Sequence, residues 1–341
     1  MSKGLKLQTV VETPQPPFAI GCGDRVAVVG SCFAENIGSR LSLLNEEVSL
    51  VGQGTSGESL EGESLEGESL VGESLEGGSL VGESLEGGSL IGESVVGESL
   101  IGQEILRQSV IVNPCGIVYN PLSVSRSFEI MRRGEKFSEG DLVERDGLFH
   151  SMQHHGKFSH PTAQEVLSTI NRPAVEALDY IIITLGTIYT YFYKGVAVAN
   201  CHKLPEKEFE RRALSLEEVT SALKGIAELY PEARIIITVS PIRHLRDGLS
   251  QNSLSKATLR VAASQFCALD PTRRVYFPSF EIMIDELRDY RFTESDMCHP
   301  TQQARDYIWQ RFSELYLADS LRMQLYAREK ELRHLAHRPL R

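Results

Sequence analysis

Between Arg40 and Arg107 the chain contains no lysine or arginine, yet fourteen glutamates fall there. Outside that stretch stand 35 basic and 32 acidic residues, so the formal net charge of −11 belongs to one segment. The charge therefore says nothing about what the rest of the protein binds. No run of eighteen apolar residues occurs, which excludes a membrane-spanning helix. The opening Met1–Lys6 lacks the apolar core of a signal peptide, and a cytoplasmic location is the expectation. The six cysteines, at 22, 32, 115, 201, 267 and 298, include no CxxC pair. That absence argues against a disulfide framework or a zinc site and for reduced thiols, and no metal or cofactor is expected.

What is present begins with the acidic segment itself. Glycine recurs every fifth residue from Gly52 to Gly102, and from Leu60 to Leu100 Leu (or Val95) holds the fourth place of units such as Gly62-Glu63-Ser64-Leu65-Glu66. A five-residue period matches neither helix nor strand. A square β-solenoid would need a small inward residue where Glu58, Glu63, Glu68, Glu73, Glu83, Glu93 and Glu98 stand, and a buried column of carboxylates is costly. The segment 45–104 reads as a low-complexity insert, with an interaction rod as the alternative.

The remaining chain alternates short apolar runs with helical spacing. Runs at Arg25–Val29, Ser109–Val112, Tyr180–Thr187, Ile235–Pro241 and Val275–Pro278 are continuous rather than alternating, as expected of strands covered on both faces. Helices are expected over 34–44, 122–132, 162–170, 216–230, 254–269, 280–287 and 301–316, followed by a polar helical tail from 318 to 341. This pattern predicts one α/β domain over 1–317, with a central parallel sheet of about five strands. At 341 residues and 41% hydrophobic content the chain can bury such a core.

Ligands of open α/β sheets gather beyond the carboxyl ends of the strands, and the polar residues just past each run merit attention. In Val29-Gly30-Ser31-Cys32-Phe33, a glycine turn delivers a hydroxyl to a helix start, where free N–H groups and partial positive charge collect. Ser31 reads as a nucleophile or simply as the helix cap. Cys32 beside it is a second nucleophile candidate, because a thiolate is intrinsically more reactive. In Asp296-Met297-Cys298-His299-Pro300 a carboxylate three residues before an imidazole supplies a base with its orienting acid. The competing reading has Asp296 capping the closing helix. The N–H groups of Ser31 and Gly116 and the Thr187 hydroxyl or N–H are the candidate oxyanion donors. Arg243-His244-Leu245-Arg246-Asp247 reads as an anion-binding corner or a solvated charge cluster.

Gly30-Ser31-Cys32-Phe33-Ala34 resembles the signature of the GSCFA family. The likeness continues through Asn113-Pro114-Cys115-Gly116, Thr184-Leu185-Gly186-Thr187, Asn200-Cys201-His202, Ser240-Pro241-Ile242-Arg243-His244 and Asp296–Pro300, covering 5–317 apart from the repeat. The family is related to the SGNH/GDSL hydrolases, and the resemblance implies a three-layer flavodoxin-like sandwich. It also implies Ser31 as nucleophile, Asp296 and His299 completing a triad, and Gly116 in the oxyanion hole. This sequence departs from that pattern at Gly186-Thr187, where SGNH enzymes carry an oxyanion-binding Asn. Asn113, His155, Asn200, His202, Arg243 and His244 are the substrate-binding candidates. The expected activity is that of a serine esterase or acyltransferase working through acyl-Ser31 on a small carbohydrate- or envelope-type ester. Neither nucleic acid nor membrane is an expected partner. A non-catalytic ligand-binding protein on the same fold, or an interaction protein using the repeat, is the alternative.

Overall fold

The computed structural model describes residues 9–44 and 109–336, and the repeat expected as an insert lies outside the described residues. Five parallel strands form the central sheet: β1 (Arg25–Gly30), β2 (Ser109–Val112), β5 (Tyr180–Leu185), β9 (Arg234–Val239) and β10 (Arg274–Phe277). Their spatial order is β10-β9-β5-β1-β2, the doubly wound arrangement in which the chain reverses direction across the sheet between β1 and β5. The register is continuous, with Arg25 opposite Ser109 on one side of β1 and Val26 opposite Tyr180 on the other.

Strand alternation explains why the runs are apolar throughout. Ala27, Val29, Ile181, Ile183, Ile235 and Ile237 enter one core, while Val26, Val28, Tyr180, Ile182 and Ile236 enter the other. The first core is closed by α2 (Pro121–Arg133), α4 (Leu216–Leu229) and α5 (Gly248–Ala268), through residues such as Phe128, Leu223 and Phe266. The second is closed by α1 (Cys32–Leu41), α7 (Gln302–Tyr316) and α8 (Asp319–Ala336), through Ile37, Phe312 and Leu321. The result is the expected three-layer, flavodoxin-like sandwich. Within the polar tail expected from 318, α8 contributes Leu321 and Leu325 to this core.

Local sequence sets the helix boundaries. Asn120 caps α2 by accepting from the Ser123 N–H at 2.9 Å, Pro121 opens the helix, and Gly134 closes it in the left-handed region. Ser215 and Glu218 form a reciprocal capping box on α4. Helix α5 starts at Gly248 rather than at the expected Leu254, and the expected helix over 280–287 is irregular. There a short α6 (Ser279–Glu281) passes into a π turn over Ile282–Glu286, where the buried Glu286 carboxylate meets the Arg311 guanidinium at 2.6 Å.

Several elements were not expected. β3 (Leu142–Arg145) and β4 (Leu148–Ser151) make a hairpin turned by Asp146-Gly147. β6 (Tyr189–Tyr193), β7 (Val196–Val198) and β8 (Phe209–Ala213) make a separate antiparallel sheet, with Lys194-Gly195 turning the first pair. Both turns have positive φ at both central residues, the geometry that suits a two-residue hairpin. The remaining helix, α3 (Ala163–Ile170), packs beside the hairpin through Val166 and Ile170. Among the described residues no helix is long and apolar enough to cross a membrane.

Candidate active site

The site forms beyond the carboxyl ends of β1 and β5, where the topology reverses. Gly30 ends β1 with φ +147°, and a Cβ there would lie 2.1 Å from the Thr184 carbonyl oxygen. Only glycine lets the two strand ends close at this point. Ser31 then takes the extended cap conformation. Its Oγ accepts from the Phe33 N–H at 3.3 Å and sits 3.1 Å from Thr184 Oγ1, and the residue is 1% exposed. The hydroxyl expected to be the nucleophile is thus turned into the sheet and engaged as a cap. Its N–H, expected in the oxyanion hole, donates to Thr184 O at 3.2 Å and Thr184 Oγ1 at 2.9 Å.

Cys32, the first helical residue, presents its side chain elsewhere. The residue is partly exposed, and its thiol lies 3.6 Å from the Tyr119 hydroxyl and beside the His299 imidazole. His299 Nδ1 is 2.5 Å from Asp296 Oδ2. The carboxylate holds the proton on Nδ1 and leaves the other ring nitrogen for sulfur. Asp296 is itself fixed, since its Oδ1 accepts from the Cys298 N–H at 2.8 Å and the His299 N–H at 2.9 Å. It does not cap the closing helix: Thr301 does, accepting from the Ala304 N–H at 3.3 Å. The loop is tied further by Glu294 N–H to the His299 carbonyl at 2.8 Å.

The electrostatics follow from these contacts. The Cys32 thiol, and after it the Asp296 carboxylate, outweigh partial burial and push His299 up to about 9. Burial opposes ionisation of Asp296, but the His299 N–H, the imidazole and the Cys298 N–H together hold it down to about 2. Burial, and then the neighbouring Cys32, push the Tyr119 phenol well above its usual range, so it remains an O–H donor.

The other expected residues divide into two groups. Asn113 sits behind Gly30, its Oδ1 accepting from the Gly30 N–H at 2.8 Å, with φ +41° and a buried Nδ2 that has no partner. Gly116 has φ +84°, and a Cβ there would lie 2.2 Å from His155 Cβ; its N–H donates to the Asn113 carbonyl at 2.8 Å. The Thr187 N–H donates to the Tyr119 carbonyl at 3.1 Å, and its hydroxyl pairs with Ser255 Oγ at 3.2 Å. Gly116 and Thr187 N–H groups are therefore committed to the loops that carry them. Arg243 and His244 do lie beside the triad loop, the Arg243 N–H donating to the Cys298 carbonyl at 3.2 Å. Burial, and then the Lys256 charge, push His244 down to about 3.

Asn200 and His202 go elsewhere. Asn200 Oδ1 accepts from the His202 N–H at 2.9 Å, and His202 Nε2 donates to the Ser151 carbonyl at 2.8 Å while its ring lies 4.6 Å from that of His150. His202 and His154 are each pushed down to about 4, chiefly by burial, so these two rings are neutral beside the β3–β4 hairpin. Among the described residues no group of three or more His, Cys, Asp or Glu side chains is arranged to hold a metal.

Two contributors escaped the sequence reading. Tyr119 carries an ordinary loop residue's signature, and nothing in the sequence directs its hydroxyl at position 32. Lys256 lies mid-helix in α5, yet it is fully buried and donates to the Gly186 carbonyl at 2.7 Å and the Ser240 carbonyl at 2.9 Å. It ties together the ends of β5 and β9 beneath the site.

Comparison with known proteins agrees with the motif series: the model of the GSCFA family matches residues 25–312, from β1 into α7. No curated protein matches the chain.

Proposed function

We propose that this chain, which belongs to the GSCFA family, is an acyl hydrolase or acyltransferase whose nucleophile is Cys32, with His299 as acid and base and Asp296 as its orienting carboxylate. The family match supports a hydrolase-like activity and no more. The choice of Cys32 over Ser31 rests on one observation: the thiol lies beside the imidazole held by Asp296, whereas the neighbouring hydroxyl is engaged with Thr184 Oγ1 and the Phe33 N–H.

In the proposed cycle, proton transfer from Cys32 to His299 gives a thiolate beside an imidazolium, at the positive end of α1. Sulfur attacks the ester carbonyl carbon, a C–S bond forms, and the carbonyl electron pair moves onto oxygen. As the tetrahedral species collapses, the C–O bond to the alcohol breaks and that oxygen takes the proton from His299. The neutral imidazole then accepts a proton from water, or from an acceptor alcohol, as it attacks the thioester. The thiolate departs, and water gives hydrolysis where the alcohol gives transfer. Arg243, beside Cys298, is the proposed partner for an anionic group on the substrate.

The test is alkylation with iodoacetamide and peptide mapping, alongside turnover of a small acetyl ester by Cys32→Ala and Ser31→Ala. Cys32 should be the fast-alkylating thiol, Cys32→Ala should abolish turnover, and Ser31→Ala should keep it while losing about 1 kcal/mol of stability with its cap. A folded Ser31→Ala protein without activity, next to an active Cys32→Ala protein, would return the nucleophile to Ser31. No turnover and no selective thiol would leave a ligand-binding protein on this fold.

A further inference from the structure

Resting on that reading of Cys32, we infer that Tyr119 is a catalytic residue: its phenol O–H is the side-chain donor to the oxyanion formed when Cys32 attacks an acyl carbonyl. The first N–H of α1, on Cys32 itself, is the partner donor.

Elimination leads there first. Of the three backbone donors the sequence nominated, Ser31 N–H is bonded to Thr184, Gly116 N–H to Asn113 and Thr187 N–H to Tyr119. Each would have to abandon a loop or strand contact to reach a substrate. The Cys32 N–H carries no such commitment, because the first N–H of a helix has no intrahelical acceptor. Among the described side chains, the Tyr119 hydroxyl is within hydrogen-bond distance of the Cys32 sulfur, and the His299 ring lies beside it. His299 is occupied with moving the proton.

Geometry then favours the phenol. The oxyanion is two bonds from sulfur, and a donor resting 3.6 Å from that sulfur is within reach of it. Before attack the O–H faces the thiolate. As negative charge leaves sulfur for oxygen, the same O–H follows it, an interaction that strengthens toward the transition state.

The donor is also held in place. Tyr119's carbonyl accepts from both Gly186 N–H at 2.8 Å and Thr187 N–H at 3.1 Å, and its ring meets that of His244 edge-on at 5.5 Å and 81°. His244 is anchored by its own N–H on Asn252 Oδ1 at 3.0 Å. Such support is what an oxyanion donor requires, since one that must reorganise loses most of its effect.

The experiment uses full-length Tyr119→Phe, which keeps the ring against His244 and deletes the hydroxyl. With p-nitrophenyl acetate, kcat should fall ~10²–10³-fold with KM little changed. The pH dependence of Cys32 alkylation by iodoacetamide should stay close to that of the unmodified protein. A kcat within about threefold of the unmodified protein overturns the assignment. So does a fall in kcat matched by an equal fall in alkylation rate, because Tyr119 would then act only through the thiol. Should Tyr119→Phe not fold, Tyr119→His, which keeps a donor on a ring, must retain more activity than Tyr119→Leu. Equal activities would refute the role. Failure of Cys32 to alkylate in the unmodified protein would instead sink the Cys32 reading itself, so the two failures are told apart.

Discussion

Replacing Lys256 by Met should change stability by an amount that depends strongly on pH. The ammonium is 1% exposed, with two carbonyl oxygens as hydrogen-bond acceptors, and burial alone pushes it down to about 7 from an ordinary 10.5. Below about pH 7 folded and unfolded chains both hold the proton, and the full cost of burying the charge applies. Between about 7 and 10.5 the unfolded chain holds a proton that the folded chain has released, so stability rises with pH. The slope for one proton is ~1.4 kcal/mol per pH unit, or on the order of 3 kcal/mol between pH 7 and 9. Met keeps the length of the stem but leaves both carbonyls without a donor, costing ~1–3 kcal/mol each. Near pH 6 that loss is largely offset by removal of the buried charge. At pH 9 the variant should trail by roughly 3 kcal/mol more. His299, pushed up to about 9, acts in the opposite sense: its contribution is full below 6.5 and lost as pH climbs through about 9. The informative quantity is therefore the difference between the two proteins in urea titrations at pH 6, 7, 8 and 9. A difference that stays flat across that range would show that the amine remains charged, and would refute the reasoning.

The imidazolium of His299 serves as acid in the proposed cycle, so kcat/KM should fall on an alkaline limb near pH 9. In Asp296→Asn that limb should move down by about one pH unit, and a limb that does not move would separate Asp296 from the proton transfer. Gly38 lies on the buried face of α1, where a Cβ would come 2.6 Å from both methyl groups of Val112. Gly38→Ala should lose ~1–3 kcal/mol by overpacking despite gaining ~1 kcal/mol in helix propensity. Adding Val112→Ala should recover part of that loss in thermal unfolding, and simple additivity of the two would count against the contact.

The central sheet was legible because strands buried on both faces must be apolar at every position, so five such runs between helical patterns admit few architectures. Asp146-Gly147 is among the strongest hairpin signals, but the charged Leu142–Arg145 ahead of it resembles loop rather than strand. Tyr189–Tyr193 lacks the continuous apolar run of the central strands: its aromatics are only partly buried, with Tyr189 and Phe192 packed against the first core from the small antiparallel sheet. At the site, the Asp296–His299 pair was readable because three residues separate partners that one turn brings together. The proposed preference for Cys32 over Ser31 turns on which residue caps the helix. A serine in that position commits its oxygen to the backbone, and its successor is left to face outward. Tyr119 and Lys256 were not readable at all, since each acts across a distance that only the folded chain defines.

The pairing of Arg25 with Ser109 fixes which ends of β1 and β2 lie side by side. The strand that follows the pentapeptide tract re-enters at the rim where β1 begins, while Cys32, Tyr119 and His299 gather at the rim where it ends. A substitution at Arg25 or Ser109 therefore acts at the opposite end of β1 from the thiol.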